Sequence, residues 1–101
     1  MQNVDSVFES GKLTISLSGR IDMNNVEEVR KAVFDVLEKC SDTAPLFDAK
    51  KLEYISSAGL RVLLQVGTRY EQPLSIVNVS PIVLEILETT GFTQIMNVKP
   101  A

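Results

Sequence analysis

Residues 52–64, with the sequence LEYISSAGLRVLL, decide the fold of this 101-residue chain. The apolar run Pro45–Ala49 before them is typical of a short buried strand, and a loop at Lys50–Ser57 is expected to lead into a strongly apolar helix. Two serines, Ser56 and Ser57, stand where that helix begins. Unpaired N–H groups and the helix macrodipole favour negative charge at such an end, so a serine there can cap the helix or carry a phosphate.

Hydrophobic spacing predicts the elements on either side of this stretch. Leu13, Ile15 and Leu17 alternate with polar residues, which is typical of a half-buried strand. The order ββαβαβαβ predicts an α/β fold, with a mixed sheet of about five strands and three to four helices packed on it. We expect strands at Val4–Glu9, Lys12–Gly19, Leu74–Val79 and Phe92–Val98, a helix from Val26 to Cys40 capped by Asn24 or Asn25 and ended by Ser41, Asp42 and Thr43, a helix from near Ser57 to about Tyr70, and a helix from Ser80-Pro81 to Gly91.

The composition suits one compact domain covering residues 1–101, since 45% of the residues are hydrophobic. The net charge is −3 and the basic residues are scattered, so no surface for nucleic acid or an anionic membrane is expected. Neither a secretory signal nor an apolar run long enough to insert into a membrane is visible. A lone cysteine, Cys40, excludes an intrachain disulfide and is expected to be a buried thiol. These features predict a cytoplasmic domain that is monomeric when free.

Catalysis is disfavoured by the residues that the chain lacks. There is no histidine and only one cysteine, so zinc sites and Ser-His or Cys-His nucleophile pairs cannot be built within the chain. Neither GxGxxG nor GxxxxGK[ST] is present. We therefore expect no catalytic residue, no metal and no cofactor.

Three motifs resemble the STAS domain family, the fold of anti-sigma factor antagonists that recurs in sulfate transporter tails. Residues 19–22 (GRID) are similar to its G-x-[LI]-D, residues 47–60 (FDAKKLEYISSAGL) to its D-x-x-x-[VL]-x-x-[IM]-D-S-[ST]-G-L, and residues 80–92 (SPIVLEILETTGF) to its S-P-x-V-x-x-[LI]-[LF]-x-x-x-G-[LF]. The resemblance covers nearly the whole chain and implies a STAS-like fold.

The resemblance implies a non-enzymatic bacterial protein that regulates transcription by partner switching. Its regulatory phosphoserine falls on Ser57. An anti-sigma factor that is also a serine kinase, of the histidine-kinase-like ATPase type, would bind the unphosphorylated domain and release its sigma factor. The kinase would then phosphorylate Ser57, and a serine phosphatase would reverse the change.

Two positions depart from the family pattern. Ser56 stands where the antagonists usually have an acid, which makes it a competing phosphate acceptor, and Ala58 stands where serine or threonine is common. The alternative is a constitutive STAS subunit of a transporter assembly, such as a lipid-transport complex, in which Ser57 is not phosphorylated. A third hypothesis, an enzyme or nucleotide binder at the helix start, is disfavoured by the absent motifs.

The expected partner-binding surface is built around the two serines, with Ser56 the expected cap. Gly59 indicates close backbone approach, either by a partner or by a neighbouring strand. The two aspartates of the surface would form its rim or cap loop N–H groups, and Arg61 would pair with a phosphate or with Glu53. The surface comprises Asp22, Asp48, Ser56, Ser57, Ala58, Gly59 and Arg61.

Overall fold

The computed structural model describes residues 3–40 and 43–101. In this part of the chain the elements are β1 (Val4–Glu9), β2 (Lys12–Ile21), α1 (Val26–Lys39), β3 (Pro45–Ile55), α2 (Ser57–Gly67), β4 (Ser75–Val79), α3 (Pro81–Thr89), a 3₁₀ helix (Phe92–Gln94) and β5 (Asn97–Pro100).

The described strands form one mixed sheet in the order β1-β2-β3-β4-β5, which confirms the predicted α/β fold. β1 is antiparallel to β2, and β2 to β5 are mutually parallel. Each parallel connection moves one strand along in the same direction. Because such crossovers are right-handed, the helices between them lie on one face of the sheet. Accordingly, Leu13, Ile15 and Leu17 of β2 are buried, while Thr14 and Ser16 between them are only half-buried.

β3 is longer than the sequence indicated. The prediction that it ends at Ala49 and gives way to a loop was wrong, because β3 continues to pair with β2 as far as Ile55. Two register shifts interrupt the pairing, and the adjacent exposed lysines Lys50 and Lys51 lie at the first one. A bulge of this kind breaks the alternation of buried and exposed residues, so a bulged strand looks like a loop in the sequence. β2 is likewise longer than predicted and ends at Ile21.

The region after Gly91 also differs from the prediction. Gly91 has the expected left-handed backbone, with φ 82°. Beyond it, the predicted strand Phe92–Val98 is a short 3₁₀ helix followed by β5, since the Phe92 carbonyl accepts hydrogen bonds from the N–H groups of Ile95 and Met96. The helix that was expected to reach Tyr70 ends at Gly67.

The first helix is close to its predicted bounds, but its amino end is built differently. Asn25 occupies the cap position and its side chain makes no capping hydrogen bond. Cys40, expected to be buried, is half-buried at the other end. Of the three residues expected to end α1, Ser41 and Asp42 lie outside the described residues.

β1 is an edge strand whose outer side is partly closed by one of its own side chains. The Ser18 N–H donates to the Asn3 carbonyl. The alternation of an antiparallel pair then directs the Ser6 N–H away from β2. Asp5 Oδ1 accepts a hydrogen bond from that N–H at 2.9 Å. A backbone donor that would otherwise point into solvent is therefore occupied.

Asn78 has an unusual backbone conformation, and its side chain links β4 to β3. Its φ is 58°, in the left-handed region, and its Nδ2 donates to Asp48 Oδ1 at 3.0 Å. Asparagine tolerates this region better than most residues with a side chain. Asparagine therefore tolerates the left-handed backbone of β4 at this position and also donates a hydrogen bond to β3.

The positive φ of Asn78 predicts that glycine is more stable than alanine at this position, which reverses the usual order in a strand. Asn78→Gly and Asn78→Ala both lose the hydrogen bond to Asp48, but only alanine is strained by positive φ, so Asn78→Gly should be more stable by about 1 kcal/mol. Urea unfolding midpoints measure this difference. Ser75 on the same strand is the control, since alanine is normally preferred to glycine in a strand. If alanine is also the better residue at position 78, the explanation is incorrect.

Candidate functional site

Ser56 connects the end of β3 to the start of α2. Its N–H donates to the Ile21 carbonyl at 2.9 Å, which ties the carboxyl ends of β2 and β3 together. Its backbone is extended, and its Oγ accepts a hydrogen bond from the Gly59 N–H at 3.3 Å. As expected, Ser56 is the cap of α2. Its hydroxyl is therefore engaged in capping the helix.

Ser57 is the first residue of α2 and is exposed. Among residues 3–40 and 43–101, no group donates a hydrogen bond to the Ser57 hydroxyl or accepts one from it. Helix starts leave backbone N–H groups unpaired, and negative charge is stabilised there. Because Ser57 is exposed, its hydroxyl is accessible. The helix end beside it tolerates an anion.

Gly59 lies on the opposite side of the first turn and is buried against the sheet. A Cβ built on it would lie 2.7 Å from Ile55 Cγ1 and 2.9 Å from Ile21 Cγ2. Both distances are shorter than any ordinary carbon–carbon contact. Of the two explanations for this glycine, close approach by the neighbouring strands accounts for it. Ala58, next to it, is half-buried.

The loop between β2 and α1 lies beside the serines. Asp22 follows Ile21, and its Oδ1 accepts a hydrogen bond from the Asn24 N–H at 3.0 Å. Asn25 Oδ1 accepts from the Asp22 N–H at 3.0 Å, and its Nδ2 donates to the Arg20 carbonyl at 2.8 Å. These bonds hold the loop closed. Asp22 lies near Ser56 because it directly follows Ile21, whose carbonyl accepts the hydrogen bond from the Ser56 N–H.

Asp48 lies apart from the serines. It pairs with Ser16 of β2, whereas Ile55, at the end of β3, pairs with Ile21. Five residues of β2 separate those two registers, which is about 17 Å at 3.3 Å per residue. Asp48 Oδ1 accepts a hydrogen bond from the Lys50 N–H at 3.0 Å as well as the one from Asn78. The structure therefore places Asp48 at the bulge of β3 and not on a rim around Ser57.

A groove between α2 and α3 opens next to Ser57. Ser57 and Leu60 form one side, Ile82 and Glu85 form the other, and the end of β3 at Tyr54 closes it. Ile82 is 63% exposed. We call this the α2–α3 groove; it adds an apolar wall and a carboxylate to the surface around Ser57.

Two exposed apolar residues at this end were missed by the sequence reasoning. Met23 is 83% exposed in the loop after Asp22, and Ile82 is in the first turn of α3. The signal for Ile82 was present, because it does not share the helix face of Val83 and Leu87, which are buried. Met23 follows an aspartate in a loop, and its exposure could not be deduced from periodicity.

The charged groups of the site differ in exposure, since Asp22 is half-buried and Glu85 is exposed. Arg61, one turn after Ser57, is exposed. The ion pair found among residues 3–40 and 43–101 joins Arg30 to Glu27 on α1, away from Arg61.

Burial raises the pKa of the Tyr70 hydroxyl, and the neighbouring Arg69 partly offsets this effect. Tyr70 lies beyond the far end of α2 and does not contribute to the serine site.

Residues 3–40 and 43–101 contain neither a group of three side chains able to hold a metal ion nor a helix long and apolar enough to cross a membrane.

Comparison with known proteins identifies the family. A family model described as the STAS domain matches residues 3–101. The chain belongs to the STAS domain family. This STAS domain is 33% identical over 91 residues to BtrV of Bordetella bronchiseptica, whose name makes it a candidate anti-sigma factor antagonist; the match covers 87% of this chain and 78% of BtrV.

Solved structures agree with the fold. A candidate anti-sigma factor antagonist from Thermotoga maritima has a TM-score of 0.83 at 17% identity, covering 97% of this STAS domain and 86% of that chain. The anti-sigma factor antagonist SpoIIAA in its unphosphorylated form has a TM-score of 0.75 at 17% identity, covering 94% of this STAS domain and 86% of that chain.

The division between a capping and a free serine predicts different costs for two alanine variants. Ser56→Ala removes the acceptor of the Gly59 N–H and should lower the free energy of unfolding by about 1 kcal/mol. Ser57→Ala should change it by less than about 0.5 kcal/mol, because the exposed hydroxyl has no partner to lose. Urea unfolding of both variants tests this. Equal costs would contradict the assignment of Ser56 as the cap.

The space around Gly59 predicts the effect of one added methyl group. Gly59→Ala should destabilise this STAS domain by about 1–2 kcal/mol, because overpacking against Ile21 and Ile55 outweighs the better helix propensity of alanine. Gly67→Ala is the matched control on the same helix. Its Cβ would meet Leu74 Cδ1 at 4.0 Å, an ordinary contact, so this variant should be no less stable than the wild type. Thermal unfolding would contradict the packing argument if Gly59→Ala raised the Tm.

Proposed function

We propose that this STAS domain is an anti-sigma factor antagonist controlled by phosphorylation of Ser57. The observation that carries the proposal is the accessible Ser57 hydroxyl beside a neighbouring serine that already caps the helix. The name of the relative BtrV supports the same function. Ser56, the competing acceptor, is half-buried and engaged with Gly59, so Ser57 is the better substrate.

The proposed partner is an anti-sigma factor that is a serine kinase of the histidine-kinase-like ATPase type. It binds the unphosphorylated domain, which frees its sigma factor, and then transfers a phosphate to Ser57. A serine phosphatase restores the binding form. In this cycle the STAS domain is a cytoplasmic, non-enzymatic partner, monomeric when free, that contacts neither nucleic acid nor membrane.

The proposed docking surface is centred on Ser57. Met23 and Ile82 supply exposed apolar contacts on its two sides. Asp22, Ala58 and Arg61 lie at its edges, whereas Gly59 contributes indirectly by positioning the helix. Exposed apolar side chains are typical of the core of a protein interface, and charged side chains are typical of its rim.

Phosphorylation would act on the interface and leave the fold intact. A phosphate adds about −1.5 to −2 charges, and burying that charge against the nucleotide or carboxylates of a kinase is costly. A loss of about 3–5 kcal/mol, typical of an unpaired charge in an interface, weakens binding by two to four powers of ten. The start of α2 itself stabilises negative charge, so the phosphorylated domain stays folded.

The matched variants Ser57→Ala and Ser57→Asp test the proposal. As baits in lysate of the native host, the alanine form should retain a kinase-like ATPase and the aspartate form should lose it, with retained proteins identified by mass spectrometry. Titration of the purified partner should then show a Kd at least a hundredfold weaker for Ser57→Asp.

Thr93→Asp is the control for added charge. Thr93 is exposed in the 3₁₀ helix, before β5 begins and therefore at the opposite end of the sheet from Ser57, so this variant should bind as the wild type does. A transporter component retained equally by both Ser57 variants would contradict the switch. That result would support a constitutive subunit of a transporter assembly.

A further inference from the structure

We propose that Arg61 pairs with the phosphate carried by Ser57 within the same chain, so that phosphorylation also removes a free cation from the docking surface. The inference rests on the proposed function, because it assigns the regulation of the same serine. It is carried by the relative position of two exposed side chains on α2.

Ser57 and Arg61 are four residues apart on one helix. At 100° and 1.5 Å per residue, they are offset by about 40° around the axis and about 6 Å along it. Both are exposed, whereas Gly59 and Leu60 between them are buried. Helical side chains lean towards the amino end, so Arg61 extends over the turn that carries Ser57. An acidic group placed four residues before an arginine is the favourable orientation for such a pair.

Arg61 is available for this contact. The sequence left Glu53 as its other partner, but no ion pair between Arg61 and Glu53 occurs in the described part of the chain. Other guanidinium groups are engaged elsewhere. Arg20 lies over the Tyr54 ring at 4.4 Å from its centroid, and Arg69 lies over the Phe34 ring at 5.3 Å.

Apart from Arg20, which is stacked on Tyr54, the other charged residues at the ends of the elements around Ser57 are acidic. Asp22 lies on the loop after β2, Glu53 on β3, and Glu85 on α3 in the α2–α3 groove. A phosphate on Ser57 would add to these carboxylates and would be repelled by them. Arg61 is the cation on the same helix face, so it offsets that repulsion and holds the phosphate against α2.

Two charge changes then occur on the docking surface in one reaction. In the unphosphorylated form, the guanidinium of Arg61 is exposed and free to contact a partner. In the phosphorylated form it is paired with the new dianion. A partner that relied on that cation loses the contact at the same time as it meets the added negative charge.

Phosphoserine installed at position 57 during translation allows a direct test. The second pKa of a serine phosphate is about 6, and a nearby cation lowers it by favouring the dianion. Arg61→Gln should therefore raise the pKa measured by ³¹P NMR titration by about 0.3 units, which corresponds to a helix pair of about 0.4 kcal/mol. Arg61→Lys should restore most of the effect, and 1 M salt should abolish it.

Arg69→Gln is the matched control, since it removes the same charge beyond the far end of α2. It should leave the phosphate pKa unchanged. If Arg61→Gln does not move the pKa, or if Arg69→Gln or Arg20→Gln moves it as much, the pairing is refuted. Circular dichroism of each variant verifies that it is folded, as expected for substitutions of exposed side chains.

This test is independent of the cellular switch. Because the phosphate is introduced during translation, the titration does not require a kinase. Failure of the titration refutes the role of Arg61 alone, whereas failure of the bait experiment refutes regulation at Ser57 and leaves the measured pairing intact.

Discussion

The close contact of Gly59 with Ile21 and Ile55 determines how α2 is seated on the sheet. With no Cβ at this position, the first turn can rest directly on the ends of β2 and β3. Ser57 is two residues away, about 200° around the helix, and must therefore face solvent when Gly59 faces the sheet. The accessibility of the serine is thus a consequence of packing on the opposite side of the same turn.

Only one of the two serines stabilises the start of α2. Ser56 satisfies the Gly59 N–H and binds the Ile21 carbonyl through its own N–H. Ser57 makes no contribution of this kind, and chemistry on its hydroxyl leaves those bonds in place. A site that can be modified without cost to the fold requires such a separation. The Ser56 hydroxyl stabilises the helix end, so a change of charge at the Ser57 hydroxyl does not affect the cap.

Much of this arrangement could be predicted from the sequence. The element order, the cap at Ser56 and the left-handed Gly91 all follow from local patterns, because alternation and capping depend on neighbouring residues. The continuation of β3 to Ile55 could not be predicted, since bulges break the alternation and depend on pairing with β2. The same tertiary information was needed to separate Asp48 from the serines. Its motif position suggested proximity, but the second half of β3 separates Asp48 from the serines.

The hydrogen bond from the Ser6 N–H to Asp5 Oδ1 has a consequence for the behaviour of the protein in crowded solution. An open edge strand is a template on which another chain can add a strand, and repeated addition leads to fibres. Here one outward donor of β1 is already occupied, and the carboxylate that occupies it places a negative charge where an incoming strand would lie. The sheet is thereby discouraged from adding further strands at this edge, which favours a protein that stays dispersed.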